Sequence, residues 1–124
     1  MNDNFLDGFV DWTPLNILSV FNIPNELSGV YIFTNDELIR YPKGNSDILY
    51  IGQTNNYRRR LFANYIGGVG GQTTQRIHSI LFVDGFIDRV KVGFKVCGEF
   101  KSEEKRLRSL FRSIYGALPL WNFQ

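Results

Sequence analysis

Two short runs constrain this chain more than anything else in it: GVYIF, beginning at Gly29, and the later DILYIG, beginning at Asp47. Both are rich in β-branched and aromatic residues, which suit a pleated, half-buried surface. The polar connection between them holds Pro42, Lys43, Gly44, Asn45 and Ser46. The pair therefore reads as two antiparallel strands joined by a long loop that opens at Asn35. A hairpin of this kind places Tyr31 and Tyr50 on neighbouring strands, either as cross-strand packing rungs or as the paired hydroxyls of a site.

The rest of the chain supplies partners for that hairpin. TNNYRRRLFANY, from Thr54, opens with good N-cap residues and spaces Tyr57, Leu61 and Tyr65 four apart, so it reads as an amphipathic helix. On such a helix Arg59 points to solvent, whereas Arg60 lies on the flank of the apolar face with Asn64 one turn on. IGGVGGQTTQ is too rich in glycine to be anything but a loop, and no Gly-Lys-Ser/Thr follows to make it a phosphate loop. TTQRIHSILFVDG predicts a second helix with Ile77, Ile80 and Leu81 inward, and FIDRVKVGFKV a third strand. KSEEKRLRSLFRSIYG predicts a last helix with Leu107, Leu110, Phe111 and Ile114 on one face and Gly116 at its end. Residues 1–28 are the least patterned; Thr13 and Pro14 open a short helix there, and the segment serves as packing. The expected fold class is α/β of the α+β type: a small three-stranded antiparallel sheet flanked by helices, in the order β-β-α-α-β-α. One domain spans 1–124, with 29–122 as its patterned core.

Composition narrows the function classes. A chain of 124 residues, 44% hydrophobic, suits one domain with one site. No apolar run approaches the roughly 18 residues of a membrane span, and the acidic start lacks the features of a secretion signal, so a soluble, cytoplasmic protein is expected. Cys97, the single cysteine, has no partner for a disulfide or a metal site and reads as a small core residue. The net charge of +2 conceals an asymmetry: residues 1–47 hold seven acids and two bases, residues 48–124 twelve bases and five acids. The basic part is where a polyanion would dock.

Taken together, Gly29-Val30-Tyr31, Tyr50-Ile51-Gly52, Arg60 ten positions after Tyr50, a late helix bearing Glu103 and Glu104, and Asn122 near the end resemble a GIY-YIG nuclease domain. Val30 stands where the family's name has isoleucine. The resemblance implies metal-dependent hydrolysis of DNA phosphodiesters to 5′-phosphate and 3′-hydroxyl ends, with Mg²⁺ or Mn²⁺ as cofactor and DNA as partner. It casts Tyr31 and Tyr50 as proton-handling hydroxyls whose ionisation a nearby arginine and metal ion would ease. Arg60 would grip phosphate oxygens, and Glu104 would hold the metal, with Glu103 as the competing choice. Gly52 would let helix and backbone approach the site, and Asn122 would order it by hydrogen bonds.

Two departures from the family pattern stand out. The glutamate pair lies further from the final asparagine than in many members. Several members also have His or Tyr four positions after the arginine, where this chain has Asn64; Tyr65 or His78 would then supply the missing donor, unless His78 is simply a packing residue. Arg58, Arg59, Arg76 and Lys101 are expected to contact the DNA backbone. The alternative is a catalytically silent nucleic-acid-binding module on the same fold. The expected modes are structure-directed or weakly specific cutting, a homodimer that cuts both strands, or specificity borrowed from a partner protein, and no membrane partner is expected.

Overall fold

In the computed structural model, which describes residues 6–15 and 27–122, four strands form: β1 (Val10–Pro14), β2 (Gly29–Tyr41), β3 (Gly44–Thr54) and β4 (Lys91–Val96). A π-helix covers Arg59–Ile66, and two α-helices follow, α1 (Gln72–Phe82) and α2 (Phe100–Tyr115). The strands pair antiparallel in the order β1-β4-β2-β3. The sheet thus has the expected type but four strands instead of three. The extra one comes from the segment expected only to pack: Thr13 and Pro14 end a strand that pairs with β4 and do not open a helix. The remainder of that expected helix lies outside the described residues. Trp12 helps to seat the strand, because its ring occupies the space above Gly93, where an added Cβ would stand 2.6 Å from it.

No long loop separates β2 from β3. The strands continue to a tight turn at Pro42 and Lys43, with Tyr41 opposite Gly44. Tyr41 holds the far end of this hairpin: its buried hydroxyl donates to the Ile48 carbonyl and accepts from the Leu120 N–H, while its ring meets Phe111 edge-on. The polar residues after Thr34 are absorbed as a register shift between Thr34 and Ile39. A second irregularity sits beside the site: Phe33 faces Tyr50 but Thr34 faces Ile48, leaving Leu49 as a bulge. Consequently Leu49 and Tyr50, although adjacent, enter the same core.

The third predicted strand is also shorter than its apolar pattern. Phe86–Arg89 forms a 3₁₀ turn after left-handed Gly85, held where Phe86 meets Trp121 and Arg89 pairs with Asp36, and the strand begins only at Lys91. The predicted helices at α1 and α2 are present, with left-handed Gly116 closing α2, although Ile114 is exposed. Among the described residues no helix is long and apolar enough to cross a membrane.

Alternation along the strands divides the interior in two. Tyr31, Phe33, Tyr50, Val92 and Phe94 pack beneath Leu61 and Tyr65 of the π-helix and Ile77 and Leu81 of α1. Val30, Ile32 and Ile51 pack on the other face, beneath Leu107 and Phe111 of α2. Tyr57, just ahead of the π-helix, ties the central strands to the first layer: its hydroxyl lies 2.9 Å from the carbonyls of both Val30 and Lys95. The same hydroxyl occupies the space a Cβ at Gly29 would need. Tyr57→Phe should therefore lower the stability by about 1 kcal/mol, read as a lower urea midpoint with an unchanged denaturant slope.

Candidate active site

Gly52 lies directly opposite Tyr31, and Tyr50 sits one same-face position along β3. A Cβ at Gly52 would stand 2.5 Å from the Tyr31 ring and hydroxyl and 2.6 Å from the Tyr50 ring. The space expected to admit helix and backbone is thus taken by the two phenol rings, whose centroids are 6.0 Å apart. The motif residues between glycine and tyrosine, Val30 and Ile51, point into the opposite core.

Over this pair lies the π-helix, started by Asn56, whose Oδ1 accepts from the Arg59 N–H, while Thr54 Oγ1 accepts from the Asn56 N–H. The Gly67 N–H donates to the Phe62 carbonyl five residues back, the bond that defines this helix type. Side chains five apart therefore stack where an α-helix would stack those four apart. The partner of Arg60 is accordingly Tyr65: the guanidinium sits 4.8 Å from the centre of its ring. Asn64, expected one turn from Arg60, turns instead to the glycine-rich loop and donates to the Val69 carbonyl. Tyr65 donates to or accepts from Tyr31 at 2.6 Å between hydroxyl oxygens, and Arg60 Nε donates to the Tyr31 hydroxyl at 3.2 Å. One hydrogen-bonded chain thus links Arg60, Tyr31 and Tyr65, with the Tyr50 ring 6.2 Å from that of Tyr65. His78 stays outside this cluster. Its Nδ1 donates to the Tyr65 carbonyl at 2.9 Å, which anchors the backbone that carries the third tyrosine.

Burial decides the protonation of these groups. Tyr31 is fully buried, and its pKa is pushed up first by that burial and then by Tyr50; Arg60 and Tyr65 pull it down less than burial raises it. Burial likewise raises Tyr65. Both are neutral hydrogen-bonding hydroxyls at neutral pH: Arg60 favours the ionisation of Tyr31, as expected, but burial outweighs it. Tyr50 keeps 8% of its surface exposed, and its hydroxyl makes no hydrogen bond among the described residues. Burial works against the charge on Arg60, but the tyrosines around it outweigh that and raise its pKa, so it stays protonated. Among the described residues no carboxylate pairs with it, an unusual state for a half-buried guanidinium and one suited to an anion.

The two adjacent glutamates have different surroundings. Glu103 faces β4, accepting from Lys95 Nζ at 2.6 Å and from Arg106 Nε and Nη2 at 2.9 and 2.7 Å. These donors, Arg106 foremost, hold its pKa down to about 2. Both of its oxygens are committed. About 100° further around the helix, Glu104 faces the flank shared with Arg108, its ion-pair partner at 3.6 Å. Burial raises its pKa, and Arg108 only partly offsets this. Among the described residues no three acids, histidines or cysteines gather into a metal cage. Glu104 fits a hard divalent ion only in the minimal way, as one under-compensated carboxylate for an ion that keeps most of its waters.

Asn122 clasps Ile51 between the two motif residues Tyr50 and Gly52: its Oδ1 accepts from the Ile51 N–H and its Nδ2 donates to the Ile51 carbonyl, each at 3.0 Å. The adjacent Trp121 N–H donates to the Leu49 carbonyl at 2.8 Å. The four cations expected on DNA do not converge. Arg58 is half-buried at the start of the π-helix, Arg59 is exposed and bonded to Asn55, Arg76 is exposed on α1, and Lys101 is exposed on α2 across the sheet.

Gly52→Ala should cost about 1–3 kcal/mol by overpacking and displace the Tyr31 hydroxyl, measured by denaturation against Gly71→Ala, where nothing lies within 4 Å of the added methyl. Glu103 contributes stability above its unfolded value of 4.5 that is lost as pH falls towards about 2. Glu103→Gln should accordingly flatten the stability profile across that window, in thermal unfolding followed by circular dichroism.

The family model of the GIY-YIG catalytic domain matches residues 27–116. No curated protein and no solved structure matches the chain. The match covers both tripeptides, the π-helix and all of α2, so the chain belongs to the GIY-YIG catalytic domain family, whose members are nucleases.

Proposed function

We propose that the chain is a metal-dependent DNA endonuclease that hydrolyses one phosphodiester at a time to 5′-phosphate and 3′-hydroxyl ends. The observation that carries this reading is the half-buried Arg60 guanidinium, without a carboxylate among the described residues, hydrogen-bonded to Tyr31 and stacked on Tyr65 beside Tyr50. Its remaining N–H groups are fixed in direction before substrate arrives, and they would bind non-bridging oxygens as negative charge builds on the phosphate. Tyr31 and Tyr65, kept neutral by burial, orient that guanidinium and contribute hydrogen bonds and not bases. Tyr50, whose hydroxyl makes no hydrogen bond among the described residues, would accept the proton of the attacking water as it passes its own phenolic proton to solvent. Asn122 fixes the strand on which Tyr50 stands. Glu104 would hold a divalent ion such as Mg²⁺, which supplies positive charge to the phosphate and acidity to a bound water.

One such site cuts one strand, so a double-strand break takes a second copy of the chain or a second event. The closed packing of Tyr31 and Tyr65 is what favours the other reading, a silent nucleic-acid-binding module, since of the three phenols Tyr50 alone keeps any exposed surface, and that only 8%.

Nicking of supercoiled plasmid in Mg²⁺ separates the two. Wild-type protein should nick, Tyr50→Phe and Arg60→Ala should each reduce the rate about 10²–10⁴-fold, and Glu104→Gln should abolish it at any Mg²⁺ concentration. Glu103→Gln should retain activity near neutral pH. Binding without nicking in either Mg²⁺ or Mn²⁺ sinks the enzyme and leaves the module.

A further inference from the structure

Lys101, Lys105, Arg108 and Arg112 recur along α2 at intervals of four, three and four residues. Such intervals align side chains in one stripe on a helix, here about 16 Å long, the axial rise of roughly five nucleotides of one strand. Lys101, Lys105 and Arg112 are exposed, and among the described residues none of the three pairs with a carboxylate. Among the described residues the ion pair of Arg108 is the 3.6 Å contact with Glu104. The other flank of the same helix is neutralised, with Glu103 taking both Lys95 and Arg106. Positive charge is thus gathered on one flank, whereas a helix that needed only solvation would mix both signs.

The stripe also leads somewhere. It borders a cavity of about 250 Å³ lined by Lys105, Arg108, Ser109, Arg112 and Leu118. Through Arg112 and Leu118 that cavity adjoins a second, of about 530 Å³, whose walls include Arg40 and Asn122. Asn122 in turn is bonded to Ile51, next to Tyr50. A strand of nucleic acid lying along these cations would therefore run toward the backbone of β3, the edge strand that carries Tyr50 on its other face.

We propose that this flank of α2 is a track for the phosphate backbone of duplex DNA beside the cleavage point, with Lys105, Arg108 and Arg112 as its contacts in addition to Lys101. The track rests on the endonuclease reading, and it binds without reading bases, as phosphate contacts do.

Fluorescence anisotropy of a labelled 20-base-pair duplex, without divalent metal and between 50 and 200 mM salt, tests it with the full chain. Each phosphate contact contributes about 0.9 to the slope of log affinity against log salt. The double variant Lys105→Gln/Arg112→Gln should therefore show a slope shallower by about 1.8 and roughly tenfold or more weaker binding at the low-salt end. Lys91→Gln, which removes an exposed cation from β4, should match wild type. In plasmid nicking the double variant should raise KM and keep kcat. A double variant with wild-type slope and affinity overturns the track, and if wild type still nicks, the enzyme reading survives alone. Wild-type protein with no salt-dependent duplex binding overturns both.

Discussion

At the centre of the fold the ring of Tyr31 fills the space that a side chain at position 52 would need. That contact lets β2 and β3 stay in register while a large phenol crosses from one to the other. It brings the Tyr31 hydroxyl beneath the π-helix, where Arg60 and Tyr65 meet it. The first glycine of the motif does similar work at Gly29, where the missing Cβ admits the Tyr57 hydroxyl to two strand carbonyls. Both glycines are thus gaps cut for tyrosines, and the residues between, Val30 and Ile51, hold the second core.

The polar cluster built on that contact is costly unless its members satisfy one another. Two of its three hydroxyls do so, and among the described residues the cation between them pairs with no acid. The molecule thereby keeps a fixed positive charge in a place where only an incoming anion completes it. The glutamates on α2 show the reverse arrangement. Glu103 is saturated and pins the helix to β4, while its neighbour is left under-compensated by a single distant arginine.

Much of this was legible in the sequence because it rests on period and composition. The alternation of GVYIF and YIG set the two faces, and the apolar spacing of α1 and α2 set their inward residues. The stacking of Arg60 on Tyr65 was not legible, since a shift from four to five residues per hydrogen bond is a backbone event with no fixed residue signature; the sequence offered Tyr65 only as a substitute donor, on the inward face it shares with Tyr57 and Leu61. The fourth strand was hidden because Val10–Pro14 takes its shape from Trp12 lying on Gly93, a contact between distant positions. The hairpin was mistaken for a loop because its polar residues are tolerated by a bulge and by Tyr41, whose bonds to Ile48 and Leu120 are equally non-local. The preference for Glu104 over Glu103 came from motif spacing, and only the ion pairs give it a physical reason.

The clasp of Asn122 and Trp121 on β3 has a consequence for the molecule's behaviour among its own copies. β3 is a sheet edge, and an edge strand with free N–H and C=O groups is a template for pairing with another chain. Here the outward groups of Ile51 and the outward carbonyl of Leu49 are already taken by a side-chain amide and a backbone amide from the end of the fold. The edge nearest Tyr50 is therefore closed to strand addition, and the surface beside it is kept from aggregation by the same two residues that hold it in shape.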